Sequence, residues 1–563
     1  MKSLLSSLFH TFNRWFSHLP GFATEKNSLA FLNSAQLLGV LNDNIFKLVM
    51  VFLLIEALGA DKASSILSAA GAIYVIPFLL FSSAAGIIAD RFSKQRLLVG
   101  MKAAEILIMV LAFFAFGWKS EWGSYTLLFF LATHSALFGP SKYGIIPELV
   151  PSEKVSRANG LITSFTYLAM ILGTFLASFL TDITEHNFIV IIGFCLLIAV
   201  LGFVSAFGIK RTPSQGSAKK LNPFFISEIY QTLKFCGHKK HLLPAIFGAA
   251  FFLFLGAFTQ LNIIPFAMQS LNLSDIAGGY LFLSTALGIA FGSFIAGKAS
   301  RKRIELGLSC LSGILMALFL FLLALFSHHF YFVIFCLVMV GICGGTFIVP
   351  FESFIQIGSP DEKRGQVIAA NNFLSFSGVL IASFTLFFFS QVLKISSASG
   401  FAIVGAVTLC ASCILIARLS DLSLPYFARK VLKPFYRVKL AHQELLEMSP
   451  KAVLIFPNTS KLDILLLLAE LPDLHLFILE KKTSLWSRFF YNISSISSED
   501  NLEKISFLLK EGERGCLITK ELTSEPLKKT SFFKQFFTEF KVIYIQIDRA
   551  PFHSLISFLT APK

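Results

Sequence analysis

Long apolar runs alternate with short polar loops along most of this chain. A helix of about 20 apolar residues can cross the roughly 30 Å hydrocarbon core of a bilayer. The pattern therefore predicts an all-α polytopic membrane protein. We place twelve transmembrane helices, the fourth having the least regular apolar pattern, at residues 31–57, 64–88, 97–117, 124–146, 158–181, 188–208, 242–268, 275–297, 304–326, 330–350, 366–390 and 398–417.

Basic residues are concentrated in every second loop. One set of loops contains Arg91, Lys94, Arg96, Lys142, Lys154, Arg157, Lys210, Arg211, Lys219, Lys220, Lys239, Lys240, Lys298, Arg301, Lys302, Arg303, Lys363 and Arg364. The other set offers little beyond Lys62, Lys119 and Lys394. Because Lys and Arg collect in cytoplasmic loops, we predict that both termini and the loop 209–241 lie in the cytoplasm. The excess of basic over acidic residues, 48 against 33, then does not indicate a nucleic-acid partner.

Composition supports the membrane class and excludes several kinds of site. Of the 563 residues, 55% are hydrophobic and only 14% are charged, and the mean hydropathy is +0.72. The eight cysteines lie mostly in apolar runs, including the CxxC pair Cys410 and Cys413, where packing is the expected role. No disulfide framework, metal or cofactor is expected. The segment 1–28 is interpreted as an amphipathic surface segment rather than a signal peptide.

The loop 209–241 divides the helices six and six, and the two halves contain a repeated loop. GPSKYGIIPELVPSEKVSRANGL (Gly139–Leu161) follows the fourth helix, and VPFESFIQIGSPDEKRGQVIAANNFL (Val349–Leu374) follows the tenth. Each contains a proline, a polar cluster, a second proline with SEK or DEK, and a stretch ending in Ala-Asn. The repeat predicts two pseudo-symmetric halves, residues 29–208 and 242–418, joined by a basic cytoplasmic linker.

The first helix contains polar residues in its middle, namely Asn42, Asp43, Asn44 and Lys47. An ionised side chain at mid-bilayer costs about 2.5–3.5 kcal/mol, so it usually faces a protein interior or an aqueous cavity. These four residues are therefore candidates for substrate binding. The alternative is that Asp43 and Lys47, one turn apart, only neutralise each other and fix the helix to a neighbour.

Five other polar residues lie in or beside apolar runs. Gln260 and Asn262 of the seventh helix are expected to line the same pathway. Glu105, close to Lys102, is expected to pair at an interface, His134 to be a packing residue, and Glu352 to cap a loop.

The loop between helices two and three, GIIADRFSKQR (Gly86–Arg96), resembles the major facilitator superfamily signature G-x3-D-[RK]-x-G-[RK]-[RK]. Gly86, Asp90, Arg91 and Lys94 match it, while Ser93 replaces the second glycine. The resemblance implies a gate on the cytoplasmic side: Gly86 lets two helices approach, Asp90 meets the positive end of a neighbouring helix, and Arg91 pairs across the contact.

The corresponding loop of the second half, SFIAGKASRKR (Ser293–Arg303), has Gly297 in place of the acid. Only the first half is therefore expected to form the carboxylate contact.

The first helix, AQLLGVLNDNIFKLVMVFLLI (Ala35–Ile55), is similar to the opening helix of lysophospholipid transporters, with its A-Q-F-L-G-x-F-N-D-N-x-F-K run. Some members of that family are fused to acyltransferase or acyl-carrier-protein synthetase modules. The resemblance implies that Asp43 binds an ethanolamine ammonium or a substrate hydroxyl, that Asn42 or Asn44 adds amide hydrogen bonds, and that Lys47 meets the phosphate.

After residue 418 the composition changes, and residues 419–563 predict a small cytoplasmic α/β domain. RKVLKPFYRVKLAHQELLE (Arg429–Glu447) is interpreted as a basic amphipathic segment on the membrane surface. Four later segments have the apolar pattern of short strands: AVLIFPNTSKLDILLLLAEL, LHLFILEKK, RGCLITKEL and KVIYIQID.

This domain resembles the phosphate acyltransferases, whose first motif is N-H-x-S-x-x-D. The matching run Pro457–Asp463 retains Ser460 and Asp463 but has Asn458 in place of the histidine, and an amide cannot act as a general base. In the later F-P-E-G-T-R motif Glu521 remains, while the Gly and Arg are absent. We therefore expect a degenerate, inactive domain that binds lysophospholipid or a partner enzyme.

Three functions follow. The preferred one is a lysophospholipid transporter of the bacterial inner membrane. It brings its substrate, with an ethanolamine or glycerol headgroup, to the cytoplasmic leaflet for re-acylation, with an acyltransferase or acyl-carrier-protein synthetase as partner. The second is a bifunctional transporter and acyltransferase with an active C-terminal domain. The third is a facilitator for another amphipathic solute.

Overall fold

The computed structural model describes residues 25–217, 219, 225–273, 275–300 and 304–432, and seven strands between residues 437 and 560. Its long helices are α1 (Glu25–Leu58), α2 (Ala63–Arg91), α3 (Lys94–Gly117), α4 (Glu121–Gly144), α5 (Val155–Ile183), α6 (Phe188–Phe207), α7 (Leu242–Leu271), α8 (Asp275–Ala299), α9 (Leu306–Leu325), α10 (Phe330–Gly358), α11 (Arg364–Phe387) and α12 (Ser397–Arg418). Within these described ranges, eleven helices are long and apolar enough to cross a membrane. The remaining helix, α4, has 24 residues but is interrupted by polar residues such as His134 and Lys142. The twelfth span therefore stays a prediction.

Two short 3₁₀ turns, Ser152–Lys154 and Asp361–Lys363, lead into α5 and α11. Each follows a proline, Pro151 or Pro360, whose fixed φ and missing N–H suit the start of a helical segment. The two loops that form the sequence repeat thus contain the same local elements at the same place in each half.

The first six helices share an apolar core. Phe46 of α1 is completely buried there, with its ring centroid 5.6 Å from that of Phe116 in α3. Inside a membrane the close packing of such side chains, rather than their removal from water, holds helices together.

In the second half, α8 and α10 make a close glycine contact. A β-carbon added at Gly288, Gly292, Gly341 or Gly345 would lie between 2.1 and 2.3 Å from a backbone oxygen of the other helix. Only residues without a side chain allow the two backbones to approach so closely.

The two halves also contact each other, through α2 with α11 and α5 with α8. The rings of Phe78 in α2 and Phe376 in α11 stack at a centroid distance of 3.9 Å. In the second contact, a β-carbon at Gly160 of α5 would lie 2.6 Å from the backbone oxygen of Ser293 in α8.

The linker between the halves contains a helix, Phe225–Gly237, that the sequence analysis did not predict. Glu228, Ile229 and Cys236 are buried on one face, while Ile226 and Tyr230 are exposed on the other. Burial raises the pKa of the Cys236 thiol to about 11, so this cysteine stays protonated.

A second compact unit consists of Glu305–Ile314 and Leu409–Lys563. Beyond α12 it contains a short helix, Ser420–Phe427, and a turn, Ala428–Leu432. The guanidinium of Arg429 forms two hydrogen bonds of 3.0 Å to the carboxylate of Glu305.

Seven strands follow in this unit: β1 (Arg437–Ala441), β2 (Val453–Pro457), β3 (Leu474–Leu479), β4 (Ile493–Ile496), β5 (Arg514–Thr519), β6 (Val542–Ala550) and β7 (His553–Thr560). They form one sheet in the order β1-β7-β6-β2-β5-β3-β4. All pairs are parallel except β6 with β7.

The strand β1 corrects the interpretation of Arg429–Glu447 as one amphipathic surface segment, because Arg437–Ala441 pairs with β7 instead. Its sequence RVKLA alternates polar and apolar residues with the period of two that a strand requires. The segment 1–24 and the helices expected between the strands lie outside the described residues, so the amphipathic segment and the α/β class stay predictions.

Candidate functional site

Asp43 of α1 lies at the centre of the candidate site and is only 9% exposed. Its Oδ2 accepts a hydrogen bond of 2.7 Å from the hydroxyl of Ser135 in α4. Its Oδ1 has no hydrogen-bond partner among the described residues. A buried carboxylate oxygen without a partner is costly unless something else supplies a proton donor.

Two lysines, Lys47 and Lys142, are attracted electrostatically to this carboxylate. The ammonium of Lys47 lies 5.3 Å from the centroid of the Tyr74 ring in α2. In the part of the chain that the structure describes, no ion pair joins Lys47 to Asp43. Lys142 of α4 is buried above the ring of Tyr143, at 4.2 Å, and is attracted electrostatically to both Asp43 and Glu352.

The sequence predicted that Glu352 caps a loop, and this prediction is wrong. The helix α10 extends to Gly358, so this glutamate lies within it, and its Oε2 accepts a hydrogen bond of 3.4 Å from Thr163 in α5. Glu352 therefore belongs to the second half but contacts the first. Asp43, Lys142 and Glu352 form a set of charges whose members come from both halves.

A second polar network lies between α1, α3 and α4. The ammonium of Lys102 and the carboxylate of Glu105, both buried in α3, form an ion pair of 2.7 Å. Asn42 donates a hydrogen bond of 2.8 Å to Glu105, and His134 of α4 lies 3.9 Å from the same carboxylate. Neither ring nitrogen of His134 has a hydrogen-bond partner among the described residues, so its packing role stays a prediction. Asn42 faces this network rather than Ser135.

The other predicted binding residues have separate partners. Asn44 donates to the backbone oxygen of Val40 at 2.8 Å. Asn262 is buried and donates to the backbone oxygen of Ser397 in α12 at 2.9 Å, whereas Gln260 is exposed. Their predicted substrate contacts therefore stay predictions.

Asp90 lies at the basic end of the helices, by which we mean the end where α2 finishes at Arg91 and α11 begins at Arg364. It accepts hydrogen bonds from the backbone nitrogens of Gly365 at 2.6 Å and Gln366 at 3.0 Å, and from Nε2 of Gln366 at 3.1 Å. The first-turn N–H groups of a helix lack intrahelical partners and carry partial positive charge. A carboxylate of the first half thus caps a helix of the second half. We name Asp90, Gly365 and Gln366 the gate contact.

Gly86, one turn before Asp90, makes the approach of α2 to α11 possible. A β-carbon at this position would lie 2.7 Å from the Ala369 β-carbon, 2.7 Å from the Gly365 backbone oxygen and 2.8 Å from the Gln366 α-carbon. Two of these three are backbone atoms, which can move only with the whole helix.

Arg91 and Lys94 contact other elements at the basic end. Arg91 donates to the backbone oxygen of Lys219 in the linker, rather than to a residue of α11. Lys94 is completely buried and pairs with Glu148 at 2.5 Å. Glu148 belongs to a short helix, Ile146–Leu149, in the same half.

A pair of amides closes the basic end at the contact of α5 with α10. Asn159 and Gln356, both buried, donate to each other's side-chain oxygens at 2.9 Å in each direction. Asn159 also donates to the hydroxyl of Ser353 at 3.2 Å. Polar groups of the two halves therefore satisfy each other here, which is possible only while the halves are in contact.

Comparison with known proteins supports what this geometry suggests. The family model described as Major Facilitator Superfamily matches residues 32–383, more than half of the chain. The chain belongs to the major facilitator superfamily. The match covers the gate contact and all the described charges around Asp43.

Among curated relatives, this facilitator is similar to proteins named Lysophospholipid transporter LplT. It is 24% identical to that of Serratia proteamaculans (strain 568) over 349 residues, covering 60% of this chain and 82% of the relative. It is 27% identical to that of Enterobacter sp. (strain 638) over 346 residues, covering 61% and 83%. With the protein of Yersinia pestis (strain Pestoides F) it shares 24% over 378 residues, covering 66% and 88%.

Solved structures show the same facilitator fold. The human organic anion transporter MFSD10 (TETRAN) aligns with a TM-score of 0.57 at 13% identity, covering 69% of this chain and 99% of the other. A bacterial homologue of the iron transporter ferroportin aligns with a TM-score of 0.54 at 15% identity, covering 70% and 99%. At these identities the likeness concerns the fold alone.

Two contacts of this facilitator were not found from the sequence. The Asn159–Gln356 pair was missed, although the Ala-Asn stretch of the repeated loop contains Asn159. Ser135, next to His134 in the sequence, belongs to no motif that would have marked it as a partner of Asp43. The acyltransferase-like positions Asn458, Asp463 and Glu521 lie outside the described residues, and the described residues contain no group that could hold a metal ion.

Proposed function

We propose that this facilitator moves lysophospholipids across the membrane by alternating access of its two halves, with the headgroup bound at Asp43. The names of the curated relatives, which this chain matches over 82–88% of their lengths, support the substrate class. The observation that carries the proposed site is the carboxylate of Asp43, whose Oδ1 is buried without a partner in the described part of the chain.

The chemistry of a lysophospholipid headgroup complements these charges. Its phosphate is an anion, its ethanolamine is a cation, and its glycerol has one free hydroxyl. In the proposed site Asp43 accepts a hydrogen bond from the ammonium or the hydroxyl, while Lys47 and Lys142 attract the phosphate. Asn42 supports the site through Glu105 rather than through the substrate.

Because Asp43 is in the first half and Glu352 in the second, a bound substrate can interact with both halves. A substrate that contacts both carboxylates, or Lys142 between them, interacts differently with the closed and the open arrangement. Such a difference in affinity is what a ligand needs in order to shift a conformational equilibrium.

Uptake of headgroup-labelled lysophosphatidylethanolamine into proteoliposomes tests the proposal. Asp43→Asn keeps the shape but removes the charge, and a hydrogen bond to a charged group contributes about 1.5–3 kcal/mol. We expect the initial rate to fall by at least about tenfold, since 1.4 kcal/mol corresponds to that factor. Asp61→Asn, in an exposed turn after α1, is the matched control and should leave the rate unchanged.

The two parts of this proposal can fail separately. Normal uptake by Asp43→Asn would contradict the binding site but not the substrate. No uptake of any lysophospholipid by the unmodified protein, together with transport of another amphipathic solute, would contradict the substrate.

We further propose that α4 is a twelfth transmembrane helix and that the basic end faces the cytoplasm of the inner membrane. The helix α4 has 24 residues, the same length as α3 and α11. Its polar side chains Ser135 and Lys142 are part of the proposed site and therefore need not face lipid. The positive-inside rule supports the orientation.

For the C-terminal unit we propose an acyltransferase-like α/β domain without activity. The strands β2 and β5 are parallel, with Pro457 paired to Thr519, and the two motifs come, in sequence, directly after these neighbouring strand ends. Asn458 follows the first of these ends where the family has its histidine base. Purified protein with an acyl donor and lysophosphatidylethanolamine should give no acylated product. Product formation that disappears in Asp463→Ala would instead favour the bifunctional enzyme.

A further inference from the structure

The linker between the two halves touches the gate contact. The backbone nitrogen of Ser217 donates to the backbone oxygen of Asp90 at 3.3 Å. Arg91 donates to the backbone oxygen of Lys219, and the amide of Gln215 donates to Glu148 at 3.4 Å. Gln215, Ser217 and Lys219 are thus attached to the first half of the molecule.

The side chain of Lys219 points to other partners. Its ammonium donates to Oε1 of Gln366 in α11 at 3.0 Å and forms an ion pair with Glu228 of the linker helix. Lys219 therefore bridges the halves, since its backbone is held by α2 and its side chain by α11.

The contact with Gln366 has a directional consequence. A side-chain amide has one accepting and one donating end. The ammonium of Lys219 binds the oxygen, so the NH₂ group faces Asp90, to which it donates at 3.1 Å. Without the lysine, the amide loses the group that selects this orientation.

A cavity of about 560 Å³ lies between residues 215–217 and 219, the linker helix and the start of α11. Lys219, Phe235, Lys363 and Gln366 are among the residues that line it. The polar contacts of Lys219 lie beside this cavity, and polar contacts can be broken and remade during transport.

We propose that Lys219 is a positioning residue of the gate, which keeps the basic end closed by orienting Gln366 toward Asp90 and by bridging the two halves. The inference rests on the alternating access proposed above, but not on the identity of the substrate.

Hydrogen–deuterium exchange of the full chain in lipid nanodiscs tests this role. The amides of Gly365 and Gln366 are protected while Asp90 accepts from them, and they exchange when the basic end opens. In Lys219→Met we expect exchange at the start of α11 to become about tenfold faster, which corresponds to about 1.4 kcal/mol. Lys219→Arg keeps a donor cation and should restore protection.

Two controls separate positioning from a general loss of stability. Lys234→Met removes an exposed lysine from the same linker and should leave exchange unchanged. The loop 184–187, at the opposite end of α5, should exchange equally in all variants.

A double variant tests whether Lys219 acts through Gln366. In a Gln366→Leu background, Lys219→Met should add little further exchange. Unchanged protection in Lys219→Met, equal acceleration in the loop 184–187, or full additivity with Gln366→Leu would each overturn the proposal. Because the measurement needs no substrate, a failure to transport lysophospholipids would leave its result interpretable.

Discussion

Gly86 allows the structure to be tested by a single added methyl group. In Gly86→Ala, the new β-carbon must occupy a position 2.7 Å from the Gly365 oxygen and 2.8 Å from the Gln366 α-carbon. Nonbonded carbon atoms are normally about 3.5–4.0 Å apart, so α2 and α11 must separate by roughly 1 Å.

The size of the change in the ratio of closed to open states depends on which state contains the clash. Overpacking a tight contact costs about 1–3 kcal/mol. Only the closed arrangement places α11 against Gly86, so the closed state is destabilised and the open state is not. A free-energy difference of about 1–3 kcal/mol changes the ratio of the two states by roughly 5–150-fold. Gly86→Val should have a larger effect than Gly86→Ala.

Distances between spin labels at Glu153 and Glu362 measure this ratio. Both residues are exposed in the turns before α5 and α11, one in each half. Among the residues whose burial is described, the exposed native thiols are Cys410 and Cys413, and these are first replaced by alanine. We expect a longer distance to gain population in Gly86→Ala.

Gly71 provides the matched control on the same helix, because a β-carbon there would have no atom within 4 Å. Gly71→Ala raises the helix propensity of α2 equally but should leave the distance distribution unchanged. Identical distributions for the two variants would refute the reasoning, since the close approach at Gly86 would then not limit closure.

Three further outcomes follow from the described contacts. Lys102→Met should destabilise the protein in detergent by about 3–5 kcal/mol, because it leaves the buried carboxylate of Glu105 unpaired. Adding Glu105→Gln should recover part of this loss. Equal melting temperatures for the single and the double variant would contradict this expectation. Asn159→Ala and Gln356→Ala should each increase the distance between the spin labels at the basic end. The double variant should increase this distance no further, because the same reciprocal amide pair is lost in all three variants. Additive increases would show that the two amides act separately. Arg429→Met should change the unfolding free energy by about 1 kcal/mol or less, since its ion pair is partly exposed, and a larger loss in chemical denaturation would contradict that.

The helical architecture could be predicted because the apolar runs have the length that a membrane imposes. The gate geometry was also anticipated in part: the motif around Asp90 predicted a contact with the positive end of a helix, and α11 begins there. The position of Arg91 was different from expectation because its partner lies in the linker, and no sequence pattern connects the two.

Other contacts could not be found from the sequence because they depend on tertiary structure. Asn159 and Gln356 are separated by 197 positions. The linker helix Phe225–Gly237 is short and lies among basic residues, which are also typical of a loop. Of the seven strands, β1, β4 and β7 were missed; β1 lies within the segment interpreted as amphipathic, and β4 has only four residues.

In the contact of α2 with α11, the carboxylate of Asp90 caps a helix. At the corresponding position in the contact of α5 with α8 the residue is Gly297, and the two backbones are too close to leave room for a carboxylate side chain. A β-carbon at Gly297 would already lie 3.2 Å from the Arg157 α-carbon and 3.2 Å from the Ser156 oxygen. Hydrogen bonds to a carboxylate depend on angle and fail when either helix turns, whereas a smooth glycine surface tolerates sliding. When the halves move, the α5–α8 side should therefore serve as the pivot, and the α2–α11 side should be the one that separates.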